Sequence, residues 1–251
     1  MIKYGIKIWS INEGFFTEAV NLYEKSQVDF IELYLAPDKI PESVKKFKNI
    51  DMQIHAPHSG HEFNIFKLNR EKIDFFKNQI IKTANLLNVK NIIVHAGVGK
   101  DKLIFQKNIK LIADERILIE NKPKEGLNSE LCFGYSLDQL TFIKNECGFK
   151  ICLDFGHAIK SAASQEIDYK IFLAGLLNKL TPDYFHISDG FHKNIKDEHL
   201  DLGQGNFDLR WIKKMLNNIS RDREIKLVFE APKNINNLDN DIKNINYFKG
   251  L

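Results

Sequence analysis

Short apolar runs alternate with longer amphipathic segments from one end of the chain to the other. The runs are rich in Ile and Val, which is typical of strands that are buried on both faces of a parallel sheet. The pattern predicts eight strands, at Tyr4–Trp9, Asp29–Tyr34, Met52–His55, Asn91–His95, Arg116–Glu120, Lys150–Asp154, Tyr184–Ile187 and Lys226–Glu230.

The segments between the strands carry apolar residues at helical spacing. In residues 69–87 one apolar stripe is formed by Ile73, Phe76, Ile80, Ala84 and Leu87. Further helices are predicted at Phe16–Lys25, Glu42–Phe47, Phe105–Ile112, Ser136–Glu146, Asp168–Leu180 and Leu209–Ile219, with Asp168 and Asp208 as N-caps. The Asn-rich tail after Pro232 is expected to begin as a loop and to end in a short helix.

A strand followed by a helix, repeated along the chain, predicts an α/β fold. Right-handed crossovers between parallel strands favour closing such a chain into a single (β/α)8 TIM barrel. A doubly wound open sheet is the alternative. The 251 residues contain no linker rich in Pro, Gly or Ser and no shift in composition, so residues 1–251 are predicted to form one domain.

Composition and charge indicate the compartment and partners of the protein more than its reaction. The net charge of +3 comes from scattered lysines, which does not by itself indicate a nucleic-acid partner. Cys132, Cys147 and Cys152 form no CxxC pair, which predicts reduced, buried thiols and a cytoplasmic protein. No apolar run reaches membrane-spanning length, so neither a signal peptide nor membrane contact is expected.

Polar side chains follow or end six consecutive predicted strands, on the face where barrels of this kind have their active sites. A single His or carboxylate there is more often a hydrogen-bonded rim residue or a helix cap. The whole set instead predicts a metal centre, because several buried carboxylates without cations would be very costly. The candidate ligands are His55, His95, Glu120, Asp154, His157, His186, Asp197, His199 and Glu230.

These donors also indicate which ions the centre takes. Mixed imidazole and carboxylate ligands without a thiolate suit divalent Zn, with Mn, Fe and Co as alternatives. One ion does not use nine ligands, so the sequence leaves open one to three ions per chain. Gly203 and Gly205 are predicted to let the loop that carries Asp197 and His199 turn back over the barrel mouth.

Seven motifs carry a resemblance to a known family. IHAPH, VHAG, LIENK, LDFGH, FHISDG, DEHLDLGQG and VFEAP occur in this order between Ile54 and Pro232. Together they resemble the xylose isomerase-like barrel superfamily, which includes sugar isomerases and epimerases and endonuclease IV, the AP endonuclease family 2. The resemblance implies that Glu120, Asp154, His186 and Glu230 hold the single metal of the isomerases. It implies that the remaining five ligands complete the three-zinc cluster of endonuclease IV.

The leading prediction is an isomerase or epimerase that acts on a sugar or sugar phosphate. A divalent ion would stabilise an enediolate while Glu120 and Glu230 remove and return a proton on opposite faces. His157 is predicted to position the substrate. Further substrate-binding candidates are Lys122, for a phosphate or carboxylate group, and His58 and His61, although solvated rim positions are the ordinary setting for all three.

The alternative prediction is phosphoester hydrolysis at a two- or three-zinc cluster, with damaged DNA or a small phosphate ester as substrate. The number of ligands favours this alternative. Two departures from endonuclease IV favour a small molecule over DNA. The segment before His55 is shorter than that family's DNA-recognition loop, and the chain has Ala56-Pro57-His58 where the repair enzymes carry an aromatic residue that opens the duplex. A barrel that only binds has little support, because every candidate ligand is present.

Overall fold

The chain folds into a closed barrel of eight parallel strands, arranged around the barrel in chain order. The structure is a computed structural model that describes residues 1–37, 40–234 and 236–251. The strands are β1 Ile2–Trp9, β2 Phe30–Tyr34, β3 Met52–His55, β4 Ile92–His95, β5 Ile117–Glu120, β6 Lys150–Asp154, β7 Tyr184–Ile187 and β8 Ile225–Phe229. The predicted (β/α)8 barrel is confirmed, with strand boundaries that differ from the prediction by two residues at most.

Helices cover the outside of the barrel, and the main apolar core lies between them and the strands. They are α1 Phe16–Glu24, α2 Arg70–Phe75, α3 Lys82–Leu86, α4 Lys102–Ile109, α5 Leu137–Asn145, α6 Phe155–Ser164, α7 Tyr169–Leu180, α8 Leu209–Ile219 and α9 Asp239–Gly250. A π-helical segment, Phe76–Ile81, joins α2 to α3. Glu42–Phe47 is a 3-10 helix. The predicted caps are confirmed: the Asp168 and Asp208 carboxylates accept hydrogen bonds from backbone amides at the starts of α7 and α8.

Three helices differ from the prediction. Helix α4 begins at Lys102, three residues before the predicted start at Phe105. Helix α6 follows β6 without a loop, because Asp154 ends the strand and its carboxylate caps the helix by accepting a 2.6 Å hydrogen bond from the backbone N–H of His157. No helix is predicted there from the sequence, although Phe155, Ala158, Ile159 and Ala162 lie at helical spacing and are buried. Helix α9 has 12 residues and is longer than the short terminal helix expected.

Inside the barrel, an apolar layer lies directly beneath the predicted ligands. It consists of Phe30, Ile93, Leu118, Cys152, Tyr184 and Val228. Each of these residues precedes by two positions a buried or half-buried polar residue, namely Glu32, His95, Glu120, Asp154, His186 and Glu230. Side chains two apart on a strand point to the same face, so the polar residues form the next interior layer towards the carboxyl ends of the strands.

Three smaller findings bear on the expectations from the sequence. The three cysteines are free; Cys132 and Cys152 are buried as predicted, whereas Cys147 is only half-buried. Among the described residues, no helix combines the length and apolarity needed to cross a membrane. Gly5 on β1 makes room for the ring of Phe30, because a Cβ atom at Gly5 would lie 2.5 Å from that ring.

Candidate metal centre

The predicted ligands converge at one end of the barrel. His55, His95, Glu120 and Asp154 are the last residues of β3 to β6. His186 lies within β7, Glu230 directly follows β8, and His157 lies in the first turn of α6. Asp197 and His199 come from the loop after β7, and both line the same cavity as His157 and Glu230.

The first ligand group is formed by two imidazoles that meet one oxygen of Glu120. Nε2 of His55 lies 3.0 Å and Nε2 of His95 lies 3.1 Å from Glu120 Oε2. His55 Nδ1 donates a 2.7 Å hydrogen bond to the carbonyl of Ala56, which leaves its Nε2 free to face Glu120. This backbone bond fixes the ring in the orientation that a metal ligand requires.

The second group lies on the opposite side of Glu120 and comprises His157, Asp197 and His199. Asp197 Oδ2 lies 3.3 Å from His157 Nε2 and 2.5 Å from His199 Nε2. His157 Nδ1 donates a 2.9 Å hydrogen bond to the carbonyl of Asn121, so its Nε2 points at this group. His157 Nδ1 also lies 3.1 Å from the second oxygen of Glu120, Oε1.

The central residues connect these two groups. His186 Nδ1 lies 2.9 Å from Glu230 Oε1 and 3.6 Å from Glu120 Oε2. The four residues that the resemblance assigns to a single metal do not form one set of mutually close ligand atoms among the described residues. Asp154 instead groups with Glu120 and His157, whereas Glu230 groups with His186, His55 and Glu32.

Lys7 and Glu32 belong to this centre and are not among the predicted site residues. Glu32 is completely buried and accepts hydrogen bonds from His186 Nε2 at 2.9 Å and from the Tyr184 hydroxyl at 2.6 Å. Lys7 lies beside Glu32 on the neighbouring strand, pairs with its carboxylate at 3.3 Å and also binds Glu230. Both residues point into the barrel from the middle of their strands. The two-residue spacing from Phe30 to Glu32 is the sequence signal that could have identified Glu32.

The loop that carries Asp197 and His199 is held in place by buried polar contacts. Between these two residues, Glu198 accepts a 2.6 Å hydrogen bond from Lys160, a completely buried lysine on α6. Further along, the Asp189 carboxylate accepts hydrogen bonds from the amides of Gly203 and Gly205. The predicted turn at these glycines is present, with Gly203 at φ +90°. A Cβ at Gly205 would lie 2.3 Å from the carbonyl oxygen of Gly190.

The donor atoms fit divalent ions. Four atoms of the predicted ligands are buried without an aligned hydrogen-bond partner among the described residues: Glu120 Oε1, Asp154 Oδ2, His95 Nδ1 and His186 Nδ1. Buried polar atoms normally have a partner, and isolated buried carboxylates are strongly destabilising. A cation between these imidazoles and carboxylates would supply the missing interactions of Glu120, Asp154 and His186.

The pKa values reflect how closely these charged groups are packed. Burial raises the pKa of Asp154 to about 6, helped by Glu230, Glu120 and Asp197 and opposed by His157. Burial opposes protonation of His157, but Asp154, Asp197 and Glu120 outweigh it and raise the pKa of His157 to about 10. Burial likewise opposes ionisation of Glu32, but His186 and Lys7 outweigh it and lower the pKa of Glu32 to about 2.

A cavity of about 720 Å³ opens above the centre. Lys122 and His58 line this cavity together with His95, whereas His61 is not among the lining residues. The His61 ring lies behind the wall, where its Nδ1 pairs with the hydroxyl of Tyr34. Burial, together with the charge of Lys122, lowers the pKa of His58 to about 3, so His58 faces the cavity as a neutral imidazole.

Residues 17–248 match the family described as the xylose isomerase-like TIM barrel. The chain belongs to this family. A probable endonuclease 4 of Buchnera aphidicola is 27% identical over 201 residues, which cover 69% of this chain and 70% of the relative. This xylose isomerase-like barrel therefore has a relative whose name implies nucleic-acid chemistry.

Solved structures from both branches of the family share the fold. Endonuclease IV from Thermus thermophilus superimposes with a TM-score of 0.74 at 19% identity, covering 99% of this chain and 98% of that chain. A D-tagatose 3-epimerase-like protein superimposes with a TM-score of 0.72 at 18% identity, covering 99% and 96%. At this level of identity the likeness shows the fold, and the reaction has to be inferred from the residues of the site.

Proposed function

We propose that the protein is a divalent-metal-dependent phosphoester hydrolase whose centre holds more than one ion. The observation that carries the proposal is the carboxylate of Glu120. Its Oε2 faces Nε2 of His55 and His95 at 3.0 and 3.1 Å, and the same carboxylate forms a second set of close ligand atoms with Asp154 and His157. A carboxylate that belongs to two ligand groups is suited to bridge two ions. Centres with two or more ions are typical of phosphoester hydrolysis.

This proposal reverses the order that the sequence favours. The sequence ranks the isomerase first because the segment before His55 is shorter than the endonuclease IV recognition loop and the aromatic wedge is missing. These departures concern the size of the substrate and leave the reaction open. A one-metal isomerase does not need a second ligand group, yet the ligand atoms of His157, Asp197 and His199 lie within 4.8 Å of one another.

The reaction adds water across a P–O bond and releases an alcohol, together with a phosphate monoester from a diester or inorganic phosphate from a monoester. Bound divalent ions would neutralise the phosphate and activate water. The residues of the chain hold the ligands and the substrate. Glu32 orients His186, Lys7 fixes Glu230, and Lys122 offers a positive charge at the cavity wall for a phosphoryl oxygen. Glu32 and His186 are completely buried, and the absence of bulk water around them strengthens their interaction.

A sugar isomerase or epimerase is the second candidate, and one observation favours it. His186 Nδ1 lies between the carboxylates of Glu120 and Glu230, at 3.6 and 2.9 Å. This arrangement suits one ion flanked by two carboxylates that exchange a proton with a substrate. Lys122 and His58 would then contact the sugar phosphate in the same cavity.

Asp197→Asn separates the two functions, with exposed Asp222→Asn as its matched control. The zinc-loaded proteins would be assayed for hydrolysis of bis(p-nitrophenyl) phosphate and for metal content. For a hydrolase we expect Asp197→Asn to lose about one ion per chain and at least about tenfold in rate. Unchanged metal content and rate in this variant would contradict the proposal. The isomerase would instead exchange carbon-bound protons of a sugar or sugar phosphate with D2O. Exchange that survives in the same variant would support the isomerase.

A further inference from the structure

We propose that the cavity binds a single nucleotide, with its flat base stacked on Trp9 and its phosphoester at the metal centre. This inference rests on the proposed hydrolase function and names its substrate class. The cavity of about 720 Å³ has the size of a pocket for a whole small molecule. Its lower end is formed by predicted ligands, among them His95, His157 and Glu230, and its upper end is formed by other side chains.

One wall of the cavity is aromatic and leads from the rim down to the metal centre. Trp9, at the end of β1, packs on Tyr34 with ring centroids 4.9 Å apart. Tyr34 contacts His58 at 5.7 Å, and His58 stacks on His95 at 5.2 Å with an interplanar angle of 16°. Trp9 is only half-buried and lines the cavity, so part of its ring is available to a ligand.

The opposite wall is a hairpin that follows β5. An antiparallel bridge pairs Glu125 with Leu131, and the amide of Gly126 donates a 2.9 Å hydrogen bond to the carbonyl of Glu130. Near the tip, the carbonyl of Leu127 accepts a 3.2 Å hydrogen bond from Lys196. In a closed barrel with the strand order β1 to β8, β5 lies opposite β1. The hairpin therefore faces the Trp9 wall across the mouth, which leaves a slot rather than an open surface for a duplex.

The residues of the slot select a flat ring over a sugar. Trp9, Ile11, Pro123 and Leu127 present apolar surface near its mouth. A polyhydroxylated sugar packed against these four side chains would lose hydrogen bonds to water that their apolar surface does not replace. A nucleobase has apolar faces and a polar edge. The amides of Asn12 and Asn128 also line the cavity and can pair with such an edge.

The two tryptophans of the chain make a direct test possible. Trp211 packs against Tyr169 on the outside of the barrel and is not part of the cavity wall, so Trp211→Phe leaves Trp9 as the only indole reporter. The zinc-loaded Trp211→Phe protein would be titrated with AMP, ribose 5-phosphate and inorganic phosphate. We expect AMP to quench the Trp9 emission and to bind about 5- to 150-fold more tightly than ribose 5-phosphate, the range that one base–aromatic stack provides.

Variants at Trp9 test the stack itself, with affinities measured by calorimetry. Trp9→Ala is expected to abolish the preference for AMP over ribose 5-phosphate while the affinity for inorganic phosphate is kept. Trp9→Phe, which retains a ring, is expected to keep most of the preference. Equal affinities for AMP and ribose 5-phosphate would overturn the inference. Tighter binding of a single-stranded DNA octamer than of AMP would also overturn it.

Hydrolysis of bis(p-nitrophenyl) phosphate, measured in parallel, separates this inference from the proposed function. Hydrolysis without any preference for a base would leave the hydrolase standing and overturn the nucleotide slot. A preference for AMP without hydrolysis would support the slot and overturn the hydrolase.

Discussion

Nε2 of His186 lies 2.9 Å from a carboxylate oxygen of Glu32, and both side chains are completely buried. The hydrogen bond orients the imidazole so that Nδ1 faces Glu120 and Glu230. Carboxylates that accept a hydrogen bond from a metal-binding histidine fix its orientation and raise its basicity. Glu32 is therefore expected to act through His186 rather than on the substrate.

Glu32→Gln should weaken binding of the ion at His186 by about 10- to 100-fold, because an amide is a poorer acceptor for the imidazole N–H. Zinc affinity, measured by competition with a chromogenic chelator, tests this expectation. Tyr184→Phe removes only the hydroxyl that binds Glu32 and should have a smaller effect in the same direction. Exposed Glu24→Gln is the matched control. An affinity that is unchanged in Glu32→Gln would show that Glu32 does not position the ligand.

Metal binding should release protons at neutral pH. Asp154, Asp197 and Glu120 outweigh burial and raise the pKa of His157 to about 10, so the metal-free protein holds this imidazole protonated. A metal ligand must be free of its proton, so zinc has to displace it. Zinc affinity is therefore expected to rise with pH between about 6 and 10, by up to about tenfold per unit for this one proton.

Calorimetric titration with zinc in two buffers of different ionisation enthalpy measures this release. The observed heat should depend on the buffer at pH 7, and His157→Gln should reduce this dependence by about one proton. Heats that are identical in both buffers would rule out proton displacement.

Lys160→Met should loosen the loop that carries Asp197 and His199. The ammonium group of this buried lysine donates hydrogen bonds to Glu198 at 2.6 Å and to the carbonyl of Phe191 at 2.8 Å. Loss of hydrogen bonds to a charged group is expected to lower the free energy of unfolding by about 1.5–3 kcal/mol. Urea denaturation and zinc stoichiometry, compared with exposed Lys214→Met, check the effect. A full zinc content and unchanged stability would contradict this role of Lys160.

Gly5→Ala should destabilise the barrel from within. The added Cβ would lie 2.5 Å from ring atoms of Phe30, which is completely buried in the apolar layer. Overpacking of this kind costs about 1–3 kcal/mol, measurable as a lower midpoint in chemical denaturation. Gly14→Ala, where the added Cβ meets no atom within 4 Å, is the control. Equal midpoints for the two variants would show that the interior can absorb the extra methyl group.

The strands could be predicted because they are buried on both sides. A strand between a filled barrel and a helical layer has no solvated face, so it becomes a mainly apolar run that ends in polar residues. Helix α6 carries buried apolar residues at helical spacing, Phe155, Ala158, Ile159 and Ala162, but it follows β6 without a loop, so no break in the sequence marks where it begins. Its cap, Asp154, is also the end of a strand.

The candidate site could be predicted only where it coincides with strand ends. Lys7 and Glu32 lie inside β1 and β2. The sequence does not show whether a charged side chain within an apolar run points into the barrel or towards the helices. Only the closed barrel makes their orientation clear, because both must then point at Glu230 and His186. The position of His61 behind the cavity wall depends on its hydrogen bond with Tyr34. Because the two residues are far apart in the sequence, no pattern of neighbouring residues predicts this contact.

The spacing between the apolar layer and the polar layer has a consequence for divergence within the family. Cys152 and Asp154, or Tyr184 and His186, occupy one strand, yet one residue of each pair packs the barrel and the other faces the chemistry. Selection for stability and selection for a reaction therefore act on different positions of the same strand. Substitutions in the upper layer can exchange one reaction for another while the lower layer keeps the barrel folded. A family with this construction can include both epimerases and nucleases.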